Sequence, residues 1–314
     1  MNSSFSRPPQ FACFLLVFAV EAFSLGSEPA KLEVKKIGAN GFAVLRVGDE
    51  TPLFVQNAAP DFRPHIHPIN APDGSGLLTL KPEKNYVHHC GLWFGLNDVN
   101  KKNDFFYKNE AFHPLPLAVP EPMGNRVSWT VEDDWRPVAG KQMLRETQLW
   151  TFTDHGGDYV FDMTWRAKAD IDLLFGKADY GGFFVKLTGA GSFRSSENHD
   201  PGKKPAEVLE GTRARWMSIE NKSRTRGGKP AVVVIMDHRD NPDHPAPWRV
   251  TGDHFGTSRC KQFEWSLKQG EAAQARYRVV VLTGAFDAAK IERYWDDFLK
   301  TPSPKGTETK RGMK

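Results

Sequence analysis

The sequence predicts an all-β protein, folded as a large antiparallel β-sandwich with one C-terminal helix. The first reason is that short segments of alternating apolar and polar residues recur along the chain, with turn-forming residues between them. Alternation with a period of two places one face of each strand on a core and the other toward water, as in antiparallel sheets. The second reason is that helical periodicity is confined to one segment near the C-terminus. Long internal repeats are not visible, which disfavours a propeller or a solenoid.

A leader precedes the first strand. Arg7 is followed by the apolar run Phe11–Val20 and then by small residues such as Ser24 and Gly26. This order is typical of a secretory signal peptide, and we assign residues 1–24 to it. A run of about ten residues rises only about 15 Å as a helix, about half of the hydrocarbon thickness of a membrane. We therefore predict a secreted or periplasmic protein with no membrane span in the mature chain. The strand pattern that follows the leader predicts a single sandwich domain over residues 30–300.

Strand patterns are clearest in the middle of the chain. Apolar and polar residues alternate in Arg126–Trp135 and in Asp158–Arg166. Turn-forming residues at 38–41 and 48–50 favour early hairpins. Further strands are predicted over Leu32–Lys36, Phe42–Val47, Gly91–Leu96, Leu144–Thr153, Gly182–Leu187, Arg213–Ile219, Ala231–Asp237, Gln262–Leu267 and Ala275–Leu282.

One segment predicts a helix. Apolar residues recur at i, i+3, i+4, i+7 and i+8 from Ile291 to Leu299, and Asp287 is a suitable N-cap. Residues 301–314 are polar and contain Pro and Gly, so we predict a disordered basic tail. Residues 189–205 are a candidate long loop, and loops of this length on a β scaffold often line sites.

The formal net charge is +4, and its location limits the partners. The segment from Lys300 to Lys314 holds five basic residues and one acid, which accounts for the whole excess. A nucleic-acid-binding protein would concentrate positive charge on its folded body, so we predict no nucleic-acid partner.

The mature chain has two cysteines, Cys90 and Cys260, and the sequence leaves open whether they pair.

Histidines cluster in two neighbouring segments. His65, His67, His88 and His89 are four of the ten histidines and lie within 25 residues of one another. In an extended segment 63–67, His65 and His67 share a face. Three neutral imidazoles can hold Zn, Cu or Fe, with His65, His67 and His88 as candidate ligands. The same histidines can transfer protons, for which His67, His88 and His89 are candidates, or they can be buried structural residues.

A third polar segment, residues 237–249, follows the most apolar strand and is stiffened by three prolines. Its Asp237, His238 and His244 are candidate acids and bases, and the alternative is a Pro-rich surface turn. Amide and acidic side chains can hold sugar hydroxyls, and an indole can stack on a sugar ring, although Trp is more often a core residue. The candidate substrate-binding residues are Trp93, Asp98, Asn100, Lys186, Asn241 and Trp248.

Several common catalytic signatures are absent from the sequence. It contains no HExxH, no paired CxxC, no Walker loop, no GxSxG and no GxGxxG after a strand. Zincin, nucleotide-binding and serine-hydrolase functions therefore lose support.

Four ordered segments carry a family resemblance. They are HPINAPDG at 67–74, HHCGLWFGLNDVN at 88–100, GTRARW at 211–216 and DHRDNPDHPAPW at 237–248. Together they resemble a family of secreted bacterial proteins labelled methane oxygenase PmoA-like, whose molecular function is not established. The chain departs from that family's pattern at Cys90 and at Lys186, where arginine is usual.

The resemblance implies a β-sandwich similar to the galactose-mutarotase-like supersandwich, a fold that recurs in carbohydrate epimerases, lyases and hydrolase domains. It does not imply methane oxidation, because a particulate methane monooxygenase subunit spans the membrane several times, whereas this chain has one cleavable apolar run.

Three functional hypotheses follow. The first is an exported carbohydrate-active enzyme of epimerase, lyase or hydrolase type, which uses histidine acid–base chemistry in an open cleft of the sandwich. The second is a non-catalytic glycan-binding accessory protein. The third is a His-ligated, metal-dependent oxygenase or hydrolase. We expect the partner to be a carbohydrate or another small polar molecule.

Overall fold

The structure, a computed structural model, describes residues 30–137, 140–199 and 205–302, and these ranges fold mainly into β-strands. The predicted signal peptide, residues 1–24, and the predicted tail beyond residue 302 lie outside the described residues. The strands are β1 (Leu32–Ile37), β2 (Gly41–Arg46), β3 (Phe54–Asn57), β4 (His65–Ile69), β5 (Leu92–Val99), β6 (Asn103–Phe105), β7 (Phe112–Pro114), β8 (Arg126–Trp135), β9 (Leu144–Asp154), β10 (Asp158–Ala169), β11 (Leu173–Phe175), β12 (Gly181–Lys186), β13 (Gly191–Ser195), β14 (Trp216–Asn221), β15 (Ala231–Asp237), β16 (Trp248–Thr251), β17 (His254–Thr257), β18 (Trp265–Leu267) and β19 (Ala272–Thr283). The helices are α1 (Pro205–Leu209) and α2 (Ala288–Lys300), and 3₁₀ turns lie at Asn109–Ala111, Arg224–Arg226 and Arg259–Lys261.

The strands form two antiparallel sheets. Sheet one has the order β1-β2-β3-β4-β5-β12-β17-β16, with β6 and β11 also pairing with β5 and with β18 pairing with β11. Sheet two has the order β13-β14-β15-β19-β10-β9-β8-β7. The antiparallel sandwich with a C-terminal helix is therefore confirmed.

Alternation along the strands decides which side chains enter the core. In β5, Leu92, Phe94 and Leu96 belong to the main core between the sheets, whereas Trp93 belongs to a separate cluster on the outer face of sheet one. Phe183 and Phe184 divide in the same way on the neighbouring β12. Sheet one is therefore buried on its inner face and partly covered on its outer face, where polar side chains also project.

Helix α2 covers part of the outer face of sheet two. Its Ile291, Trp295 and Phe298 pack on an apolar patch from β14, β15 and β19. Asp287 caps the helix, because its side chain accepts a hydrogen bond from the Lys290 amide, as the sequence predicted. Within the described residues, no helix has the length and hydrophobicity needed to cross a membrane.

The short strands account for most of the differences between expectation and structure. The predicted loop 189–205 contains β13 and the start of α1. Strands β3, β4, β6, β7, β11, β16 and β17 were not predicted, because three to five residues are too few to establish a period of two and two of these strands contain proline.

Four of the indole N–H groups in the core between the sheets donate to side-chain acceptors. Trp135 and Trp165 donate to the two carboxylate oxygens of Glu146, at 3.3 and 2.7 Å. Trp129 donates to the Gln56 side chain at 3.0 Å, and Trp150 donates to the Gln148 side chain at 2.9 Å. Burial raises the pKa of Glu146 to about 7. These bonds join β3, β8, β9 and β10 across the inside of the sandwich.

We expect Glu146→Ala to lower the free energy of unfolding by about 2–4 kcal/mol, since two buried donors lose their acceptor and a cavity forms. Glu146→Gln should cost less, because its single carbonyl oxygen still serves one indole. Urea unfolding measures both changes. The control is Glu132→Gln on β8, where the side chain is partly exposed and the cost should stay below about 0.5 kcal/mol. An equal cost at the two positions would contradict the role given to Glu146.

Candidate functional site

A cleft of about 360 Å³ opens on the outer face of sheet one. Its floor comes from β12 and β17, and the loops before β5 and after β6 form its walls. Below it, Trp93, Phe106 and Phe184 pack into the aromatic cluster that covers this part of the sheet. The residues that line the cleft are Tyr86, His88, His89, Tyr107, Tyr180, Lys186, Thr251, Gly252, Asp253 and His254.

Three imidazoles meet in this cleft. The His89 ring lies 4.3 Å from the His88 ring and 4.4 Å from the His254 ring, measured between centroids. The other side of His89 stacks on Trp93 at 5.5 Å. Because the rings are buried and surrounded by other basic groups, the pKa of His89 falls to about 2 and that of His88 to about 4. Burial also lowers the pKa of His254. All three are therefore neutral near pH 7, and each is a weaker base than a free imidazole.

An ion pair lies beside the imidazoles. Lys186 Nζ is 2.6 Å from Asp253 Oδ1, and the His254 ring nitrogen Nδ1 is 3.6 Å from the same oxygen. His254 and Lys186 lower the pKa of Asp253 to about 2, so this carboxylate stays ionised. Thr251 Oγ1 lies 2.5 Å from His254 Nδ1 and helps to fix the ring. The cleft thus offers a fixed cation and a fixed anion next to neutral bases.

Tyrosines form the rim of the cleft. Tyr86 is 69% exposed and its ring is parallel to that of His89, with centroids 5.7 Å apart. Tyr107 lies 4.8 Å from the His88 ring, and burial raises its pKa to about 12, so its hydroxyl stays protonated and can donate. The Asp104 carboxylate accepts hydrogen bonds from the amides of Phe106 and Tyr107, both at 2.8 Å, which holds the loop that carries Tyr107.

Backbone conformation also positions Tyr86. Asn85 and Tyr86 have φ values of 52° and 50°, in the left-handed region that a bulky side chain seldom adopts. The chain therefore turns sharply before His88 and His89 and brings the Tyr86 ring over His89. Backbone strain of this kind persists only where the surrounding packing imposes it, and it is common at functional sites.

The other two clustered histidines share the outer face of sheet one but do not line the cleft. His65 is 3% exposed, and its Nδ1 lies 2.9 Å from the Arg63 carbonyl oxygen. His67 Nδ1 lies 2.9 Å from Thr79 Oγ1. Burial lowers the pKa of His65 to about 3 and that of His67 to about 4.

The candidate metal ligands His65, His67 and His88 do not form a coordination group. Across residues 30–137, 140–199 and 205–302, no set of three or more His, Cys, Asp or Glu side chains is arranged to hold a metal ion. His65 and His67 instead bond to protein oxygens, while His88 packs against His89 and Tyr107.

The polar segment after β15 lies on the other sheet, beside α2. Asp237 is 1% exposed and accepts hydrogen bonds from Asn241 Nδ2, His244 Nδ1 and the Ala246 amide, at 2.7, 2.8 and 2.8 Å. His244 stacks on Trp295 of α2. His238 Nε2 lies 3.0 Å from Arg276 Nη1. These groups tie the segment to the helix, so the structure does not bring Asp237, His238, Asn241 and His244 into the cleft with His88 and His89.

Four other candidate residues have structural partners. Trp248 is fully buried and donates to the Ala214 carbonyl at 2.9 Å, so its rings cannot stack on an external ligand. Trp93 is 1% exposed beneath His89. Asn100 bonds to Asp172 and Leu174 and so attaches β11 to the turn after β5. Asp98 lies one residue before the end of β5 with φ 53°, and its carbonyl oxygen accepts a hydrogen bond from the Gly176 amide at 3.0 Å.

Cys90 and Cys260 are free thiols on opposite faces of sheet one. Cys90 lies in the outer aromatic cluster, and Cys260 lies in the main core. Burial raises the pKa of each thiol to about 11.

Besides Gly252, six residues that line the cleft were not predicted from the sequence. His254 and Asp253 reach it because β17 pairs with β12, with Lys186 opposite His254 in the register. The sequence signal for them was weak, because it consists of a Gly-Asp turn between two strands of four residues each, with His254 as the first residue of the second strand. The others are Tyr86, Tyr107, Tyr180 and Thr251.

The fold and the cleft define a β-sandwich protein with a histidine- and tyrosine-lined site on the outer face of one sheet. The chain belongs to DUF6807, a family of unknown function, whose model matches residues 44–296. The absence of an assigned function agrees with the expectation from the sequence, whereas the match does not support the methane oxygenase PmoA-like label. Among curated proteins, none has a sequence that matches this chain.

Several solved structures are similar to this chain at low sequence identity. The heparan sulfate lyase HepC from Pedobacter heparinus is 10% identical with a TM-score of 0.37, and the match covers 83% of this chain and 36% of the lyase. A galactose mutarotase-like protein from Clostridium acetobutylicum is 9% identical with a TM-score of 0.42, covering 81% and 99% of the two chains. The GH36 α-galactosidase AgaA from Geobacillus stearothermophilus is 7% identical with a TM-score of 0.35, covering 81% and 41%. The chain thus spans about a third of the length of the lyase.

We expect His65 to make stability depend on pH. Its pKa is about 3 in the folded state, below the ordinary value of about 6.5, so the unfolded chain binds its proton first. The stability from neutral His65 is complete above about pH 6.5 and falls at lower pH, by up to about 1.4 kcal/mol per pH unit. Urea unfolding at several pH values should therefore show the stability advantage of the native chain over His65→Gln shrinking between pH 7 and pH 4. The exposed His155→Gln is the control, and a constant advantage of the native chain over His65→Gln would contradict the expectation.

Proposed function

We propose that this protein is a carbohydrate-active enzyme of epimerase or lyase type, which moves a proton at a sugar ring held in the cleft of sheet one. The observation that carries the proposal is the contact between neutral imidazoles and a protonated phenol in one open cleft, His88 with His89 and with Tyr107. A neutral imidazole can remove a proton from a sugar carbon, and the Tyr107 hydroxyl, which stays protonated, can donate one to the oxygen that leaves in an elimination or to the carbon in an epimerisation.

The lining of the cleft suits a ligand rich in hydroxyl groups. Tyr86 offers an exposed ring face, and Tyr107, Thr251 and the Asp253 carboxylate offer donors and acceptors for hydroxyls. Lys186 supplies a positive charge close to His89, where it can stabilise negative charge that develops on a substrate oxygen. These features support a carbohydrate as the substrate.

The charges in the cleft favour epimerisation or elimination over hydrolysis. Most glycoside hydrolases use two carboxyl groups, one of which has a raised pKa and acts as the acid. Among the described residues that line this cleft, Asp253 is the single carboxylate, and its pKa is lowered to about 2. It therefore stays ionised and cannot act as that acid near pH 7.

The exposed ring of Tyr86 also favours a second candidate function, a non-catalytic glycan-binding protein. Binding by stacking would need Tyr86 and the hydroxyl-binding groups but not a neutral imidazole. The two functions therefore differ in their response to the loss of His88.

We expect His88→Asn and Tyr107→Phe each to lower turnover by about 10²–10⁴-fold, the usual contribution of a general acid or base. Turnover is measured on a panel of neutral and acidic oligosaccharides, with ultraviolet absorbance for unsaturated products and NMR for epimers. His155→Asn, on an exposed turn, is the matched control and should keep full activity.

Two results of that experiment would reject the enzymatic proposal. One is full turnover in both cleft variants. The other is glycan binding that survives His88→Asn and is lost in Tyr86→Ala, with no turnover of any substrate by the native chain. That second result would establish the glycan-binding function instead.

We expect kcat/KM to be nearly constant from about pH 8 down to about pH 5 and to fall only at lower pH. The reason is that the base must be neutral, and burial lowers the pKa of His88 to about 4 and that of His89 to about 2. Tyr107, with a pKa of about 12, should cause no loss up to about pH 9. The profile is recorded with circular dichroism at each pH to show that the protein is folded. A loss centred near pH 6.5, the ordinary histidine value, would contradict this assignment.

A further inference from the structure

A second and larger groove, of about 770 Å³, lies on the outer face of sheet two. Helix α2 covers the strands β14, β15 and β19 of this face but leaves β8, β9 and β10 open. The end of α2 forms one wall through Phe298 and Lys300, and the open strands form the floor. The groove is therefore on the side of the sandwich opposite the cleft.

The floor of the groove consists of two rows of cross-strand neighbours. In the first row Ser128 pairs with Thr151, Thr151 with Asp162, and Asp162 with Arg278. The second row runs in the same way, through Thr130, Leu149, Thr164 and Arg276. With strands about 4.8 Å apart, a row of four spans about 14 Å. Each row thus leads from a hydroxyl at the open edge to an arginine beside the helix.

The groove carries unpaired positive charge. Arg278 binds Asp162 through two hydrogen bonds of 2.7 and 2.9 Å and also binds Asp297 at 2.9 Å, so both acids of the lining share this one guanidinium as a partner. The lining itself holds three cations, Arg126, Arg276 and Lys300, against these two acids, so its net charge is positive. Arg126 and Lys300 also line the groove, and within the described residues neither has an acidic partner. A ligand in this groove would meet hydroxyl groups along its length and a cation at two positions.

We propose that this groove binds an acidic oligosaccharide, a chain of sugar rings that carries carboxylate or sulfate groups. The hydroxyls of Ser128, Thr130 and Thr151 can exchange hydrogen bonds with sugar hydroxyls, and Arg126 and Lys300 attract the acidic groups. The volume lies in the range of ligand-binding cavities. This proposal does not depend on the function proposed for the cleft, since the two sites use different sheets.

Single-stranded nucleic acid is also anionic, but the floor does not suit it. Binding of single strands relies on aromatic rings on which successive bases stack. The two indoles under this floor, Trp129 and Trp150, point into the core, where each donates to a glutamine side chain. The floor itself is made of hydroxyl, aliphatic and charged side chains.

The test measures binding of a hexamer of galacturonic acid to the full chain by calorimetry at low salt, with a neutral glucose hexamer and a single-stranded thymidylate hexamer for comparison. We expect the acidic sugar to bind and Arg126→Gln or Lys300→Gln to weaken it about fivefold, the effect of one exposed charge contact. Thr130→Glu adds a negative charge to the groove and should weaken binding of the acidic sugar more than either glutamine variant does. Thr130→Lys adds a positive charge and should strengthen that binding. The matched control is Lys168→Gln, an exposed cation on β10 outside the groove, which should leave the affinity unchanged.

Three results would overturn the proposal. The first is an affinity for the galacturonic acid hexamer that is the same in Thr130→Glu, Thr130→Lys and the native chain, because charge in the groove would then have no effect on binding. The second is equal or tighter binding of the neutral sugar or of the thymidylate. The third is a loss of affinity in Lys168→Gln as large as that in Arg126→Gln. The Thr130 position is exposed on a strand, so these variants are expected to fold, and a thermal unfolding curve checks this.

Discussion

Indole N–H groups enclosed between two sheets must each find an acceptor there, and this requirement fixes how the sandwich is assembled. Glu146 serves two of them, and Gln56 and Gln148 serve one each. A shift of β9 by one residue would turn Glu146 to the outside and leave the indoles of Trp135 and Trp165 without their acceptor. The same register sends Thr151 and Leu149 to the outer face. The polar contacts of the core therefore determine which side chains the protein shows to a ligand.

The two outer faces of the sandwich have different surroundings, and their chemistry differs for that reason. On sheet one, Trp93, Phe106 and Phe184 surround the imidazoles and keep them neutral. On sheet two, the buried Arg278 pairs with Asp162 and Asp297, while Arg126 and Lys300 face water. Burial thus keeps the imidazoles uncharged on one face, and exposure leaves fixed charges on the other.

Local pattern was enough to predict the long strands and the helix, and it located part of the candidate site. Strands such as β8, β9 and β10 have ten or more residues, so a period of two is clear in them. The histidine cluster predicted His88 and His89, and Lys186 was also a candidate. His254 could not be found in this way, because its place beside His89 depends on the pairing of β12 with β17 over a long stretch of sequence. For the same reason the sequence did not show that Asp237 and His244 belong beside α2 rather than in the cleft.

The position of the two thiols has a consequence for how the protein can be produced. Cys90 and Cys260 lie in different apolar clusters, and the thiol of each is buried and protonated. Neither needs an oxidant to reach the native state, nor is either readily attacked by one. The native fold therefore does not depend on the redox potential of its surroundings, and a reducing cell interior and an oxidising medium should yield the same molecule.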